Sequence, residues 1–331
     1  MKSFNNVIGH EQIIEHMQTA IEKDHVSHAY ILNGEQGAGK KMLADIFAAT
    51  LQCEEQGVNP CGHCKSCLQA SSGNQPDIIK VTHEKASISV DDIRSQLNAD
   101  IDIKPYSSRH KIYIIDEADK MTEQAQNALL KTIEEPPSYG IIMLLVTNKN
   151  KLLPTILSRC VTLNLKPVST ELITDYLMKE YQVPDYNANI SARFSQGNVG
   201  KAIRYSSSEE FNESKDKILH LLKYIEGMQV YEILEGVKQL GEHKLDIYDY
   251  IDIMMLWYRD ILLYKVTNNP NQLLFRTEYP YIKKQAEKIG YDGIENIIRA
   301  MDKAKERLRA NVNFDIAMEL MLLVIKENGN G

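Results

Sequence analysis

The sequence has no run approaching about 20 consecutive apolar residues, the length that a membrane-spanning helix needs. One lysine lies near the start of the sequence, but no apolar run follows it, which argues against a signal peptide. Internal repeats and low-complexity tracts are also missing. Positive charge is not in excess, because 38 basic and 45 acidic residues give a net charge of −7. Contact with nucleic acid would therefore need a local basic surface, and these absences predict a soluble, cytoplasmic protein with no membrane partner.

The composition is that of an ordinary globular protein. Apolar residues make up 43% of the chain and charged residues 25%. A length of 331 residues is too great for one ordinary domain and predicts two or three.

Cysteine is scarce and unevenly placed. Four of the five cysteines lie within fifteen residues, and Cys160 lies alone. A secreted protein would spread its cysteines along the chain, so the cluster indicates a metal instead of disulfides. Four thiolates at this spacing satisfy tetrahedral Zn²⁺ with no open position for catalysis, which predicts a structural site. His63 as a substitute ligand, free thiols and an iron–sulfur cluster are the alternatives. The predicted zinc ligands are Cys53, Cys61, Cys64 and Cys67.

Hydrophobic periodicity changes near residue 166. Before that point, short apolar runs alternate with segments whose apolar residues recur at helical spacing. Apolar strands separated by helices predict a parallel sheet covered on both faces, that is, an α/β domain. The predicted strands are 29–32, 78–81, 111–115, 141–147 and 161–165, with helices near 13–21, 42–51, from Ser89 onward and at 122–134.

The remainder of the chain is predicted to be helical. Residues 167–207 form a small helical unit with breaks at Pro184 and Gly197, and residues 208–331 form an all-helical domain. An apolar run from Leu245 to Tyr264 belongs to this helical pattern, and the last helices are predicted at 281–289 and 292–326.

The first predicted strand leads into a glycine-rich turn and then a helix. Residues 34–41 match the Walker A spacing G-x-x-x-x-G-K in its required strand–loop–helix context. The glycines let backbone N–H groups face a phosphate, and Lys40 can reach the β- and γ-phosphate oxygens. Lys41, however, stands where Ser or Thr would hold Mg²⁺. The motif predicts a phosphate site for ATP or ADP and argues against Mg²⁺-dependent hydrolysis.

Two later strands end in polar residues. Asp116 and Glu117 follow the strand 111–115, where a Walker B aspartate holds Mg²⁺ and the next acid polarises water. Thr147 and Asn148 end the strand 141–147 and are suited to sensing a γ-phosphate. Helix capping and plain strand termination are the alternatives for these two positions.

Taken together, these motifs resemble those of bacterial clamp-loader subunits, the AAA+ proteins of the DNA polymerase III holoenzyme. The resemblance covers residues 1–205 strongly and the rest by helical character only. It implies an AAA+ domain over 1–166 with a zinc module at 53–67, a helical lid over 167–207 and an oligomerisation collar over 208–331. It is carried by residues 4–10, the P-loop, the four cysteines, residues 116–119, residues 127–137 and Ser158-Arg159-Cys160.

Two subunit types of this family share the architecture, the ATPase motor (gamma/tau) and delta prime. Motor subunits end the P-loop in Lys-Thr or Lys-Ser and carry a sensor arginine in the lid, whereas this sequence has Lys41 and Gly200 there. The chain also ends at 331, without the long extension of tau. The intact pair of Asp116 and Glu117 is more typical of a motor. The resemblance therefore favours delta prime, with weak or no ATPase activity of its own.

The resemblance also implies roles for individual residues. Arg159 is expected to reach into a neighbour's ATP site as an arginine finger in trans. The expected partners are gamma/tau-type and delta-type subunits in a heteropentamer, the sliding clamp, and primer–template DNA through the complex. The implied nucleotide-binding residues are Val7, Ile8, Gly34, Gly37, Gly39, Lys40, Lys41, Asp116, Glu117 and Thr147.

Two functions of other classes stay open. A motor-type loader subunit or a stand-alone AAA+ ATPase would hydrolyse ATP without partners. A zinc-dependent nucleic-acid binder is the third interpretation. The sequence pI of about 5.8 and the lack of interleaved aromatic and basic residues argue against that third interpretation.

Overall fold

The chain divides into two compact units. The structure is a computed structural model that describes residues 2–241 and 247–329. The first unit comprises Met1–Gln182 with Ser195–Lys201, and the second comprises Val183–Phe194 with Ala202–Gly331. The domain boundaries at 166 and 207 stay predictions.

The first unit is built on a five-stranded sheet in the order β2-β3-β4-β1-β5. All four strand pairs are parallel, which confirms the predicted α/β class. The strands are β1 (Ala29–Asn33), β2 (Ile78–Val81), β3 (Lys111–Ile115), β4 (Gly140–Val146) and β5 (Val161–Asn164).

Both faces of this sheet are buried. Along β1, Ala29 and Ile31 pack into the core on one face, whereas Tyr30 and Leu32 pack into the core on the other. Such alternation follows from the two-residue period of a strand. Each fully buried Leu or Ile side chain contributes roughly 1.5–3 kcal/mol. The carboxyl ends of the strands, from which the site loops emerge, are therefore held by one apolar core on each face of the sheet.

Local sequence explains where the helices of this unit begin and end. Ser89 and Asp92 form the predicted capping box, because Ser89 N–H donates to Asp92 Oδ2 (2.8 Å) and Asp92 N–H donates to Ser89 Oγ (3.3 Å). The helix at Ser89 continues as a π-turn over Arg94–Asn98. The helices are α1 (Glu11–Glu22), α2 (Lys40–Leu51), α3 (Lys65–Ser72), α4 (Val90–Ile93), α5 (Glu123–Glu134), α6 (Pro154–Leu157) and α7 (Thr170–Tyr181).

The described part of the second unit consists of helices around a buried tryptophan. Trp257 is 0% exposed, and its indole N–H donates to Gln285 Oε1 (2.8 Å). Gln285 in turn donates to the carbonyl of Leu222 (2.8 Å), so three helices share one polar link inside an apolar core. The helices are α8 (Asp185–Phe194), α9 (Val199–Ser207, shared with the first unit), α10 (Glu209–Tyr224), α11 (Val230–Gly241), α12 (Ile247–Thr267), α13 (Tyr279–Lys288), α14 (Tyr291–Arg309) and α15 (Phe314–Gly329).

The predicted single helix over 292–326 is wrong. The chain forms α14 and α15 there, with a turn between them in which Asn311 has a φ of 59°. Asparagine tolerates this left-handed conformation better than most residues, which allows the chain to reverse. Leu245, at the start of the predicted apolar run, lies outside the described residues. Where the structure describes the chain, no helix combines the length and apolar character needed to span a membrane.

Asp77, at the start of β2, organises a loop of the first unit. Its carboxylate is 1% exposed and accepts hydrogen bonds from the N–H groups of Tyr106 (2.6 Å) and Ser107 (2.9 Å). Asp77→Asn replaces one acceptor oxygen with a donor, so one of these bonds is lost. We expect a loss of about 1–3 kcal/mol, measured as an earlier urea-unfolding transition. Asp102→Asn, at an exposed carboxylate, is the control, and an equal shift in both variants would contradict this role.

Candidate functional site

The loop between β1 and α2 has the conformation of a phosphate-binding loop. Gly37 and Gly39 have φ angles of 86° and 97°, in the left-handed region that glycine adopts without strain. Helix α2 begins at Lys40, so the positive end of its dipole lies at the loop. A loop with these features can present its backbone N–H groups to an anion.

Each carbonyl oxygen of residues 34–38 accepts a hydrogen bond from a residue of the first unit. Lys40 is 8% exposed. Burial lowers the pKa of its ammonium, although the nearby carboxylates of Asp116 and Asp119 act to raise it. Because each carbonyl from 34 to 38 has a partner, the loop keeps its shape through contacts within the unit. The bonds run from Lys40 Nζ to Gly34 O (2.5 Å) and Glu35 O (2.9 Å), from Asn198 Nδ2 to Gln36 O (2.7 Å), from Gly200 N to Gly37 O (3.0 Å) and from His10 Nε2 to Ala38 O (3.2 Å).

The acidic residues after β3 are paired with cations of this chain. Lys41 Nζ lies 3.6 Å from Asp116 Oδ2, so the two residues form an ion pair. Glu117 has a φ of 52°, and its Oε2 accepts a hydrogen bond from Lys120 Nζ at 2.7 Å. The structure thus brings the predicted Walker A and Walker B residues together, and each of the two predicted acids has a basic partner.

Thr147, the polar residue that follows β4, is hydrogen-bonded to a third acid, Asp119. Thr147 donates from its hydroxyl to Asp119 Oδ2 (2.7 Å) and from its N–H to Asp119 Oδ1 (3.2 Å). Burial acts to raise the pKa of Asp119, but these hydrogen bonds outweigh burial and hold it below the ordinary value. Lys151 Nζ lies 3.8 Å from the same carboxylate. The hydroxyl and the N–H of Thr147 are therefore both used in hydrogen bonds to Asp119.

These residues fit a phosphate group and do not fit a magnesium ion. The glycine conformations, the start of α2 and Lys40 are what a P-loop uses to bind phosphate. Magnesium requires oxygen ligands in octahedral geometry. Lys41 supplies no oxygen and places its ammonium beside Asp116, the carboxylate that the metal would need.

The other implied site residues are not members of these ion pairs. Val7 and Ile8 are half-buried between a 3₁₀ turn and α1, and Val7 packs against the sheet core. Arg159 precedes β5 on the surface, with 39% of its side chain exposed. Its guanidinium lies 3.0 Å from Glu134 Oε1 and donates to Thr155 O at 3.1 Å. Their implied functions stay predictions.

The four clustered cysteines converge in the first unit. Their sulfur atoms all lie within 4.8 Å of one another, and Cys61 Sγ lies 3.9 Å from Cys67 Sγ. Ligands 2.3 Å from a tetrahedral zinc ion lie about 3.8 Å apart, so the spacing fits. Burial acts to raise the pKa of Cys64, but backbone N–H groups of Glu54 and Cys67 lower it to about 7. Its thiolate, the form that binds zinc, is thus available near neutral pH.

His63 is a poorer candidate for this metal site. Its Nε2 lies 2.7 Å from Glu55 Oε1, and its Nδ1 lies 3.1 Å from the carbonyl of Cys61. Both ring nitrogens therefore already have partners. The geometry favours the four cysteines as the complete ligand set.

Sequence reasoning assigned no role to four residues that shape the nucleotide site. His10 and Asn198 hold carbonyls of the P-loop, and Lys120 and Asp119 pair with predicted site residues. His10 and Asp119 lie inside motifs that the sequence displays, so their positions were a usable signal. Asn198 is 162 residues from Gln36, and no local pattern indicates that contact.

Comparison with known proteins finds similar proteins that cover most of this chain. The delta' subunit of DNA polymerase III from Bacillus subtilis is 33% identical over 319 residues, which span 96% of each chain. The tau subunit of the same organism is 28% identical, over 92% of this chain and 58% of that protein. A solved gamma subunit-related protein from Thermotoga maritima is 19% identical over 96% of this chain, with a TM-score of 0.48.

A P-loop after β1, an acidic pair after β3 and a polar residue after β4 of a parallel sheet define a P-loop fold of the nucleotide-binding type. The model of a family described as "DNA polymerase III, delta subunit" matches residues 9–169, and that of its C-terminal part matches residues 209–327. The chain belongs to the family of DNA polymerase III delta prime subunits, which are clamp-loader subunits.

Proposed function

We propose that this chain is a largely non-motor member of the clamp-loader ring and donates Arg159 to the ATP site of a neighbouring subunit. Together with gamma/tau-type and delta-type subunits, it would load the sliding clamp on primed DNA. The zinc module would stabilise the first unit without taking part in a reaction.

The observation that carries this proposal is the pairing of the site's own acids. A general base must be free to accept a proton from water. Glu117 is hydrogen-bonded to Lys120 at 2.7 Å, and Asp116 lies beside Lys41. Hydrolysis at this site would have to break the first pair and displace the second, which supports a subunit that acts on a neighbour's ATP.

The surroundings of Arg159 suit a role in trans. Its ion pair with Glu134 is partly exposed, and such pairs contribute only about 0–1 kcal/mol. A phosphoryl group in a water-excluded interface attracts a guanidinium far more strongly than a surface carboxylate does. Arg159 could therefore exchange Glu134 for a neighbour's phosphate at little cost.

The rival proposal is a motor-type ATPase, which the intact sequence of Asp116 and Glu117 favours. We expect the isolated chain to turn over ATP far below about 1 s⁻¹, the lower end of typical enzyme values. The decisive experiment reconstitutes the loader with and without this chain and measures clamp loading on primed DNA. Loading that persists without this chain, or ATP turnover by the chain alone near that rate, would reject the proposal.

A further inference from the structure

Position 41 combines two departures from a magnesium-dependent P-loop. In such loops, the hydroxyl after the lysine and the Walker B aspartate hold the metal between them. Here Lys41 removes the hydroxyl, and its Nζ lies 3.6 Å from Asp116 Oδ2. An ammonium carried by α2 thus lies beside the Asp116 carboxylate. A divalent cation there would meet the positive charge of Lys41 and would have one oxygen ligand fewer.

The phosphate-binding half of the loop is nevertheless preserved. Its two positive-φ glycines and Lys40 are in place, and the carbonyls of residues 34–38 are held by Lys40, His10, Asn198 and Gly200. The loop therefore keeps a phosphate-binding shape through contacts within this chain. An anion that enters would find a site already formed.

The acids around this loop are neutralised by side chains. Asp116 lies beside Lys41, Glu117 beside Lys120, and Asp119 beside Lys151. Lys40 adds a further ammonium inside the loop. In a magnesium-dependent site the metal offsets the repulsion between phosphates and carboxylates. In this chain three lysines already offset these three carboxylates.

We propose that Lys41 replaces the divalent cation, so that this P-loop binds the phosphates of a nucleoside di- or triphosphate without magnesium. Lys41 is 63% exposed and Asp116 46% exposed, so their ion pair is weak and the ammonium is free to turn toward a phosphate. This inference concerns the ligand of this chain's own loop and does not depend on Arg159.

The test compares binding of fluorescent mant-ADP to the full chain in resin-treated, magnesium-free buffer and in buffer with excess magnesium. A soluble chelator is avoided because it would also remove zinc, and zinc content is checked by elemental analysis. We expect the same affinity within about twofold in both buffers. Lys41→Ala should weaken binding in both by about tenfold or more, the effect of one hydrogen bond to a charged group. Lys41→Thr should weaken binding without magnesium and recover it with magnesium.

Lys283→Thr provides a matched control, because Lys283 also pairs with an acid, Glu287 at 3.9 Å, in the second unit. This variant should bind like the unmodified chain. Tenfold or greater loss of affinity on removal of magnesium would overturn the proposal. So would the absence of measurable binding, or a Lys41→Ala variant that binds as tightly as the unmodified chain. Because none of these readouts involves Arg159 or clamp loading, they are independent of the proposed function.

Discussion

Arg159→Ala is expected to slow ATP hydrolysis by the assembled clamp loader, while the chain stays folded and joins the complex. The charge that Arg159 would stabilise exists only on a neighbour's phosphoryl group during the reaction. The loss should therefore appear in the partner's turnover. Arginine fingers contribute roughly 10³–10⁵ in rate in GTPases, although a ring with several ATP sites would show only the share of one interface. The measurement is DNA- and clamp-stimulated ATPase of a reconstituted complex, with assembly checked by size exclusion.

Two further variants sharpen this test. Arg159→Lys should restore little activity, because a single ammonium cannot reproduce the planar guanidinium fork. Arg94→Ala removes another exposed arginine of the first unit and should leave the rate unchanged. An unaltered rate for Arg159→Ala in an intact complex would reduce Arg159 to a surface charge and this chain to a scaffold.

The chain is expected to contain one tightly held zinc ion, which Cys64→Ser should remove. Cys64 caps α3 and accepts the N–H of Cys67 in the same cluster, so its loss disturbs both the metal and the start of the helix. Mutation of a residue that only hydrogen-bonds to a metal ligand costs 10–100-fold in metal affinity. Loss of a ligand itself should therefore lower the zinc affinity by more than about 100-fold. Metal binding and folding are coupled in such modules. Hydrogen exchange should therefore rise in residues 53–72, while the sheet stays protected.

Cys160→Ser is the control for this prediction. Cys160 lies outside the cluster, and burial raises its pKa to about 12, so it is an unreactive thiol. This variant should keep its zinc. Elemental analysis that gives well under one zinc per unmodified chain, after purification without a chelator, would contradict the prediction.

The sequence was sufficient where local chemistry decides the structure. The strand at 111–115 and the capping box at Ser89 follow from apolar runs and from spacing. The cysteine cluster follows from four residues that are close in sequence. The turn between α14 and α15 was missed, because apolar residues continue at helical spacing on both sides of Asn311. In that segment, packing decides where the helix ends.

The pairing within the candidate site could be predicted only in part. The substitution at Lys41 is visible in the motif, and its position suggested a cation where the metal would lie. Thr147 and Asp119, which are hydrogen-bonded, are 28 residues apart in the sequence, and Asn198 and Gln36 are 162 residues apart. Such contacts depend on how the ends of separate strands and helices meet. A sequence pattern of one element does not contain that information.

Any side chain at position 200 would have to displace the P-loop. A Cβ added to Gly200 would lie 2.8 Å from the Cα and from the carbonyl oxygen of Gly37, a distance that real Cβ atoms essentially never show. An arginine at this position, as the resemblance implies for motor subunits, could therefore not be introduced by one substitution, because the loop would have to move at the same time. Position 200 thus stays closed to side chains even in a Lys41→Thr variant, so restoring both motif positions would also require a rebuilt loop.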